Sequence, residues 1–537
     1  MSKRKLASAS ISDGSGIFIT PSSLSSLRAL FLAGHPFPHI HLSRPFSPAL
    51  LEGVEAELLA SLPTWSPRGN DLYRFTQSPS LSEFSAPSVR ALASYLYSPS
   101  FRALVEGITG VEGLIDKPDA SAALYRHGDR LLCHDDDLAT RRVAFVLYLT
   151  PCDWGAADGG ALELFSVDGA GRPAAVSASL LPARHSMVLF EVTPVSFHQV
   201  AEVLREEGGG GRLSISGWFH AAAALPRPPA APLQPPVVFA RPFAAGAAAA
   251  PPPPPAGALA LPAARCAGVP PLERWVSPRY LKAGVAAQVR ARFLAEGGSL
   301  QLPAFLLPER FAEVMRALGT SGWRRVGPPV LQSYARALAV GDVAAAAAAA
   351  AADGGGSGPP LASSRPHGEA PSPVHELLTL LASEPFARLA EALTGGACSE
   401  VAGEVRAFAP GDYTLIADPE YLAEAKALRV KKLGAAAAAG GGAAAAVAAA
   451  AARTTAAGAA AATLEVQLLC CLSEQGAWED MWGGLTTYLT ADAEVASVAP
   501  AGNVLSLMRL SPKLLSYVSY VTHDAPEPRY DFCVRFR

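Results

Sequence analysis

Cysteine is scarce and irregular: the 537 residues hold seven, an odd number, with Cys470 and Cys471 adjacent and no CxxC pair. Such a set excludes a disulfide framework or a zinc ribbon as the organising device and fits a reducing compartment. An excess of either charge is also missing. The 44 Lys+Arg stand against 47 Asp+Glu, a formal net of -3, whereas a protein held mainly to phosphate backbones carries a basic surplus. Direct nucleic-acid binding is therefore not expected. No apolar run of membrane-spanning length occurs outside Gly/Pro-broken or low-complexity sequence, so no membrane helix is expected. The N-terminus, MSKRKLASAS, lacks the apolar stretch and small-residue cleavage site of a secretory leader. Lys3-Arg4-Lys5 reads equally as a weak nuclear address or a solvated tail. Cytoplasm, nucleus or both are the expected locations.

Alanine is abundant, and much of it lies in low-complexity runs, so the 50% hydrophobic fraction says little about the core. Three stretches break the chain. Residues 221–265 are rich in Ala and Pro and read as a stiff linker. Residues 343–372 pass from alanine into Gly, Ser and Pro, and residues 434–463 are almost pure Ala and Gly. With no polar and apolar face to dock them, the last two read as loop insertions. The expected organisation is a tail (1–25), a first β-rich domain (26–225), a linker (226–270), a helical connecting region (271–340), a low-complexity insert (341–371) and a second β-rich domain (372–537) carrying the 434–463 insert.

Ser47 followed by PALLEGVEAELLASL gives an N-cap, a proline at the first helical position and apolar residues at helical spacing. From Leu131 onward short apolar runs recur between turn residues: 141–150, 161–167, 186–192, 196–204 and 212–220. Many short strands predict a sandwich or barrel, here a jelly roll buttressed by helices on one side, in a mainly β α+β chain. After residue 372 the order of helices and then strands repeats. Gly483-Gly484 takes the place that Gly159-Gly160 holds in the first half, which suggests a duplicated unit.

His134-Asp135-Asp136 is an HxD triplet, whose first and third side chains share a face of an extended chain and can converge on one ion. In a chain this long about one such match arises by chance, and a polar turn before a strand is the bland alternative. Downstream, His198 lies in the apolar SFHQVAEVL, where an unpartnered imidazole is costly; a core histidine bonded to a carbonyl is its ordinary explanation. Arg212 follows, alternating with Leu213 and Ile215 so that it shares a strand face with Ser214 and Ser216. A guanidinium facing a barrel interior needs an anion, and a small dicarboxylate beside the Ser214 hydroxyl fits its bidentate geometry. Two histidines and one carboxylate cover one face of an octahedron, the arrangement suited to non-haem Fe(II) with a chelating 2-oxo acid and O₂. Structural zinc would take a fourth protein ligand; three-ligand catalytic zinc stays open but leaves Arg212 without a purpose.

The segments LLCHDDDLATRRVAFVLYLTP, SFHQVAEVL and RLSISGWFH, with the Gly159-Gly160 turn, together resemble the 2-oxoglutarate/Fe(II)-dependent prolyl hydroxylases of the small-subunit ribosomal protein uS12. DLYRFTQS, RWVSPRYL and YTLIAD also look like that family. The resemblance covers about residues 26–225 and 270–537. It implies two tandem double-stranded β-helix domains, the second without a metal site. It further implies His134, Asp136 and His198 as iron ligands, Arg212 as the partner of the distal 2-oxoglutarate carboxylate, and Tyr125 and Tyr148 as cosubstrate or pocket contacts. Core aromatics are the alternative reading of both tyrosines. Gly208–Gly211 widen the loop before Arg212, and its register depends on their bulging outward. In the second half Asp418, His523 and Arg529 read as remnants of a site.

The expected activity is hydroxylation of a uS12 proline, at C3 or at C3 and C4, in translation. The expected requirements are Fe(II), 2-oxoglutarate and O₂, with L-ascorbate as an optional addition and a homodimer as one option for assembly. Residues 129–168 hold seven Asp and one Glu against three Arg, which would suit a basic peptide or be a solvated acidic surface. Two alternatives stay open: an oxygenase acting on another protein or a small molecule, and a non-enzymatic sensor of oxygen or 2-oxoglutarate.

Overall fold

The computed structural model describes residues 24–138, 140–206, 208–223, 257–261, 269–339, 372–416, 463–471, 477–490 and 493–537. The N-terminal tail with Lys3-Arg4-Lys5, nearly all of the low-complexity stretches, and Asp418 lie outside them. The chain divides into two units, Met1–Leu233 with Gly327–Leu331, and Gln234–Val326 with Gln332–Arg537.

The first unit contains helices α1 (Leu24–Leu32), α2 (Pro48–Ala60), α3 (Pro87–Leu96) and α4 (Pro99–Thr109). Its strands are β1 (His39–Ser43), β2 (Ser66–Gly69), β3 (Tyr73–Ser80), β4 (Leu114–Ile115), β5 (Ala120–Tyr125) and β6 (Arg130–His134). They are followed by β7 (Arg141–Tyr148), β8 (Leu162–Val167), β9 (Pro173–Leu180), β10 (Ser186–Glu191), β11 (His198–Val200) and β12 (Arg212–Ala221). The strands run β1-β10-β7-β12-β5-β3-β6-β11-β8-β9, with β2 on β3 and β4 on β12, all antiparallel, as a double-stranded β-helix.

α2 starts as its sequence requires: the Ser47 side chain accepts from the Leu50 amide, and Pro48 begins the helix. The period-two alternation of the strands then sorts their side chains. Val143, Phe145 and Leu147 of β7, with Ile215 and Phe219 of β12, pack against Leu51, Val54 and Leu58 of α2, Leu92 of α3, and Phe101 and Val105 of α4. Each fully buried side chain of this size contributes about 1.5–3 kcal/mol, so this layer holds the sheet to the helices. Ala144 and Tyr148 point the other way, into the barrel, with Leu164, Val188 and Phe190.

The second unit contains α5 (Ala283–Ala295), β13 (Ser299–Pro303), α6 (Pro308–Leu318), β14 (Arg324–Val326), β15 (Gln332–Ala339), α7 (Pro373–Leu381), α8 (Glu384–Thr394), β16 (Val401–Phe408) and β17 (Tyr413–Thr414). Then come β18 (Thr463–Cys470), β19 (Thr486–Leu489), β20 (Glu494–Val498), β21 (Val504–Leu510), β22 (Leu515–Val518) and β23 (Arg529–Phe536). Its larger sheet runs β13-β21-β18-β23-β16-β15-β14, and a smaller one β20-β19-β22. The path β13-β21-β18-β23-β16-β15 repeats, strand for strand, the path β1-β10-β7-β12-β5-β3 of the first unit. Residues 271–340, expected as a helical connection, are two helices interleaved with β13, β14 and β15. The five-residue SLQLP alternates its buried leucines but is too short for composition alone to separate it from its helical neighbours.

Candidate active site

His134 closes β6 and His198 opens β11, and the two residues are register partners across the sheet. Their rings lie 4.2 Å apart between centroids. Each Nδ1 lies within hydrogen-bond distance of the main-chain carbonyl two residues earlier, 2.7 Å to Leu132 O and 2.8 Å to Ser196 O. With Nδ1–H donating there, both Nε2 lone pairs are free to face a common point. Asp136 turns back toward them because its backbone sits in the left-handed region, at φ 59°, which Asp tolerates better than most residues. Its carboxylate lies 3.5 Å from His134 Nε2 and 3.3 Å from His198 Nε2. The three side chains form the one cluster of metal-ligating groups found among the described residues, with ligand atoms within 4.8 Å of one another.

Burial pushes His134 down to about 4, helped by neighbouring His198. Burial alone would raise Asp136, yet the hydrogen bond from His198 and the charges of His134, His198 and Arg141 hold it well below the usual carboxylate range. His198 is lowered by burial but raised overall by Asp136. The His198–Asp136 contact, at 3.3 Å, lies where a divalent cation would be held. Two neutral imidazoles and a carboxylate fit Fe(II) with open positions.

Beside this cluster lies a buried cationic seat. Arg212 is 1% exposed and begins β12, opposite Tyr125 of β5. Its Nε donates to the Gly160 carbonyl at 2.6 Å, and Nη1 donates to Ser214 Oγ at 3.2 Å. The guanidinium lies 5.0 Å over the Tyr125 ring and 5.1 Å over the Tyr148 ring. Arg212 Nη2 and the Tyr148 hydroxyl are buried with no hydrogen-bond partner among the described residues. Unmade bonds of this kind are costly, and a carboxylate satisfies both donor types. Burial pushes the Tyr148 phenol up, against the pull of Arg212, which keeps it a donor. Tyr125, also raised by burial, stacks on Phe75 at 4.9 Å.

The Gly159-Gly160 turn is dictated by close approach. Both residues have positive φ, 68° and 66°, and a Cβ at 159 would sit 2.1 Å from the Glu202 carbonyl oxygen, one at 160 2.8 Å from Arg212 Cδ. Gly208, Gly209 and Gly210 are exposed and bulge outward, and the β12 pairing with β5 starts at Arg212. The segment 196–204 is strand only over His198–Val200. Before it, Ser196 closes a turn on Thr193; after it, Glu202 and Val203 turn to meet Gly160 and Gly159.

Two residues that sequence reasoning passed over hold the Asp136 carboxylate. Trp218 Nε1 donates to Asp136 Oδ2 at 2.9 Å. Arg141 stacks on the Trp218 ring at 3.4 Å and lies 3.8 Å from Asp136 Oδ1. Trp218 continues the Arg212, Ser214, Ser216 face, so the same alternation would have found it.

Residues 120–220 match the model of the 2OG-Fe(II) oxygenase superfamily, and residues 267–537 match the oxoglutarate and iron-dependent oxygenase degradation C-terminal model. A Xenopus laevis protein, "Prolyl 3-hydroxylase OGFOD1", is 30% identical over 504 residues, which cover 92% of this chain and 84% of that one. The chain belongs to the prolyl hydroxylases of the 2-oxoglutarate/Fe(II) oxygenases. An Ostreococcus tauri member, "Prolyl 3,4-dihydroxylase OGFOD1", is 28% identical, covering 94% of this chain and 95% of its own. Among solved structures, a Pseudomonas putida prolyl-4-hydroxylase covers 37% of this chain and all (100%) of its own at 23% identity, with a TM-score of 0.30. As a member of this family the chain is a peptidyl-proline hydroxylase using Fe(II), 2-oxoglutarate and O₂.

The second unit's resemblance to the first is only partial. Gly483-Gly484 repeats the tight turn, and Arg529 opens β23 as Arg212 opens β12. His523 is not the counterpart of His198. His198 pairs with Leu164, five residues past Gly159, and the same step from Gly483 leads to Tyr488, which pairs with Ser516. His523 lies exposed in a turn, so the second unit has a serine where an imidazole is needed.

Proposed function

We propose that the chain hydroxylates a prolyl residue of ribosomal protein uS12, at C3 or successively at C3 and C4, and so acts on translation from the cytoplasm or nucleus. The observation that supports the oxygenase part of the reading is the pairing of the His134–Asp136–His198 cluster with a buried guanidinium Nη2 and a phenol hydroxyl that have no partner among the described residues. His134, Asp136 and His198 would hold Fe(II). Arg212, with Ser214 and the Tyr148 hydroxyl, would fix the far carboxylate of 2-oxoglutarate, and Tyr125 would wall its seat. The bound iron supplies the oxidation of an unactivated C–H bond, coupled to conversion of 2-oxoglutarate to succinate and CO₂. The protein's part is orientation: main-chain carbonyls keep both imidazoles in one tautomer, Trp218 fixes the carboxylate, and the apolar walls Leu164, Val188 and Phe190 keep water away. The acidic run of 129–168 gives little support for a basic peptide, since Asp129 pairs with Arg74, Asp153 and Asp158 with Arg205, and Asp168 with Arg172.

Incubation of the full chain with Fe(II), 2-oxoglutarate and a proline-containing uS12 peptide, with and without L-ascorbate, should give succinate and a peptide heavier by one oxygen, or two for dihydroxylation. Metallated protein that makes succinate but leaves uS12 unmodified would point to another protein or small-molecule substrate. Ligand binding without turnover would point to a sensor.

A further inference from the structure

The two units can be compared position by position around their arginines. Each has a Trp whose Nε1 donates to the first carbonyl of the glycine pair, Trp154 to Gly159 at 3.1 Å and Trp478 to Gly483 at 2.8 Å. Each arginine donates to the second glycine's carbonyl, Arg212 to Gly160 and Arg529 to Gly484. Each faces an aromatic register partner, Tyr125 or Phe408, stacked in turn on Phe75 or Tyr334. The frame of the seat is conserved between the units.

Its contents are not. Two residues past the arginine, on the same strand face, the first unit has Ser214 and the second has Asp531. Opposite them in register stand Ala123 and Arg406, respectively. In the first unit this pair leaves Arg212 Nη2 without a partner among the described residues. In the second, Asp531 Oδ2 accepts from Arg529 Nη2 at 2.7 Å. Arg406 donates to both oxygens of the same carboxylate, at 2.7 and 2.9 Å. Asp531 and Arg529 are both 0% exposed. Thr486 takes a further bond from Arg529 Nη2 at 2.6 Å.

We propose that Asp531 fills, from within the chain, the seat that a ligand carboxylate takes beside Arg212. The second unit is then a carboxylate cradle closed by its own side chain, and it opens to small monocarboxylates such as formate and acetate when Asp531 is cut back. The comparison with Arg212 rests on the proposed role of that residue; the occupied seat rests only on contacts of the second unit. An intact Asp531 leaves no place for 2-oxoglutarate there, so the unit is independent of cosubstrate supply.

The test uses the full chain and reads thermal stability, not hydroxylation. Asp531→Ser places the serine of the first unit at this one position and leaves two buried guanidinium groups, Arg529 and Arg406, facing a void, which should lower Tm by roughly 10 °C. Formate or acetate at about ten times its dissociation constant should then raise the variant's Tm by about 4 °C beyond the effect of equal chloride. The wild type, and Asp531→Asn, whose side chain fills the same space, keep only the Arg212 seat and should show a smaller excess, the same in both. Equal shifts in all three proteins would overturn the proposal. If Asp531→Ser does not fold unaided, its refolding yield is compared in formate and chloride; a formate-specific gain supports the seat, and equal yields refute it. Absence of hydroxylation by the wild type would leave either result standing.

Discussion

Replacing Trp218 by phenylalanine removes one hydrogen bond from the candidate metal site and keeps an aromatic ring in its place. The lost bond is the 2.9 Å contact from the indole N–H to Asp136 Oδ2. Hydrogen bonds to a charged group contribute about 1.5–3 kcal/mol, and this one lies in a site where His134, Asp136 and His198 have little access to water. Its role is directional as well as energetic. With Oδ2 held by the indole, the carboxylate is braced from outside the two imidazoles, whereas in the variant only Arg141, at 3.8 Å, backs it from that side. Converted at about 1.4 kcal/mol per tenfold change, the loss predicts roughly 10- to 100-fold weaker metal binding. The assay is anaerobic titration with Fe(II), or with Mn(II) as a redox-stable substitute. Near-ultraviolet circular dichroism checks the fold, and 2-oxoglutarate affinity is measured at saturating metal. The cosubstrate affinity should change little, because Arg212 bonds to Gly160 and Ser214 rather than to Trp218. Metal affinity within about twofold of wild type, in a protein with an unchanged fold, would refute the reasoning.

His198→Ala should abolish stoichiometric metal binding while the fold persists; unchanged metal content by atomic absorption would remove His198 from the ligand set. Arg212→Ala should weaken 2-oxoglutarate binding by about 100-fold or more, since it removes one partner of a buried charge pair, with metal binding retained; calorimetry on the metallated protein decides. His41, lowered from 6.5 to about 4 by burial, with neighbouring His39 adding to it, should make stability pH-dependent. The depressed base favours the folded state fully above pH 6.5, and that contribution is lost as pH falls toward 4, by about 3 kcal/mol in all. Urea denaturation between pH 7.5 and 4.5 should show this slope, reduced in His41→Gln.

Local signals were legible in the sequence where one residue determines its own surroundings. Ser47-Pro48 could hardly be other than a helix start, and the alternation around Arg212 placed it on an interior face. The same alternation could not say which residues share that interior, because register partners come from distant strands. The alternation puts Trp218 on the Arg212 face but does not say that it meets Asp136, and nothing near His523 shows that the strand aligned with β11 ends before it. Histidine identity suggested a remnant there, but the pairing of Tyr488 with Ser516 fixes the position elsewhere. Likewise β9, with its mostly exposed outer face, shows no apolar run to detect. The glycine pairs were visible as turns, but only the approach of Glu202 to Gly159 explains why no side chain fits.

The unpartnered donors of Arg212 and Tyr148 bear on the stability of the first unit. Buried donors with no partner among the described residues cost the fold stability, and a group that accepted from them would offset that cost. A carboxylate ligand that took these donors would add to the first unit's stability by mass action, and thermal denaturation with and without it would read that gain.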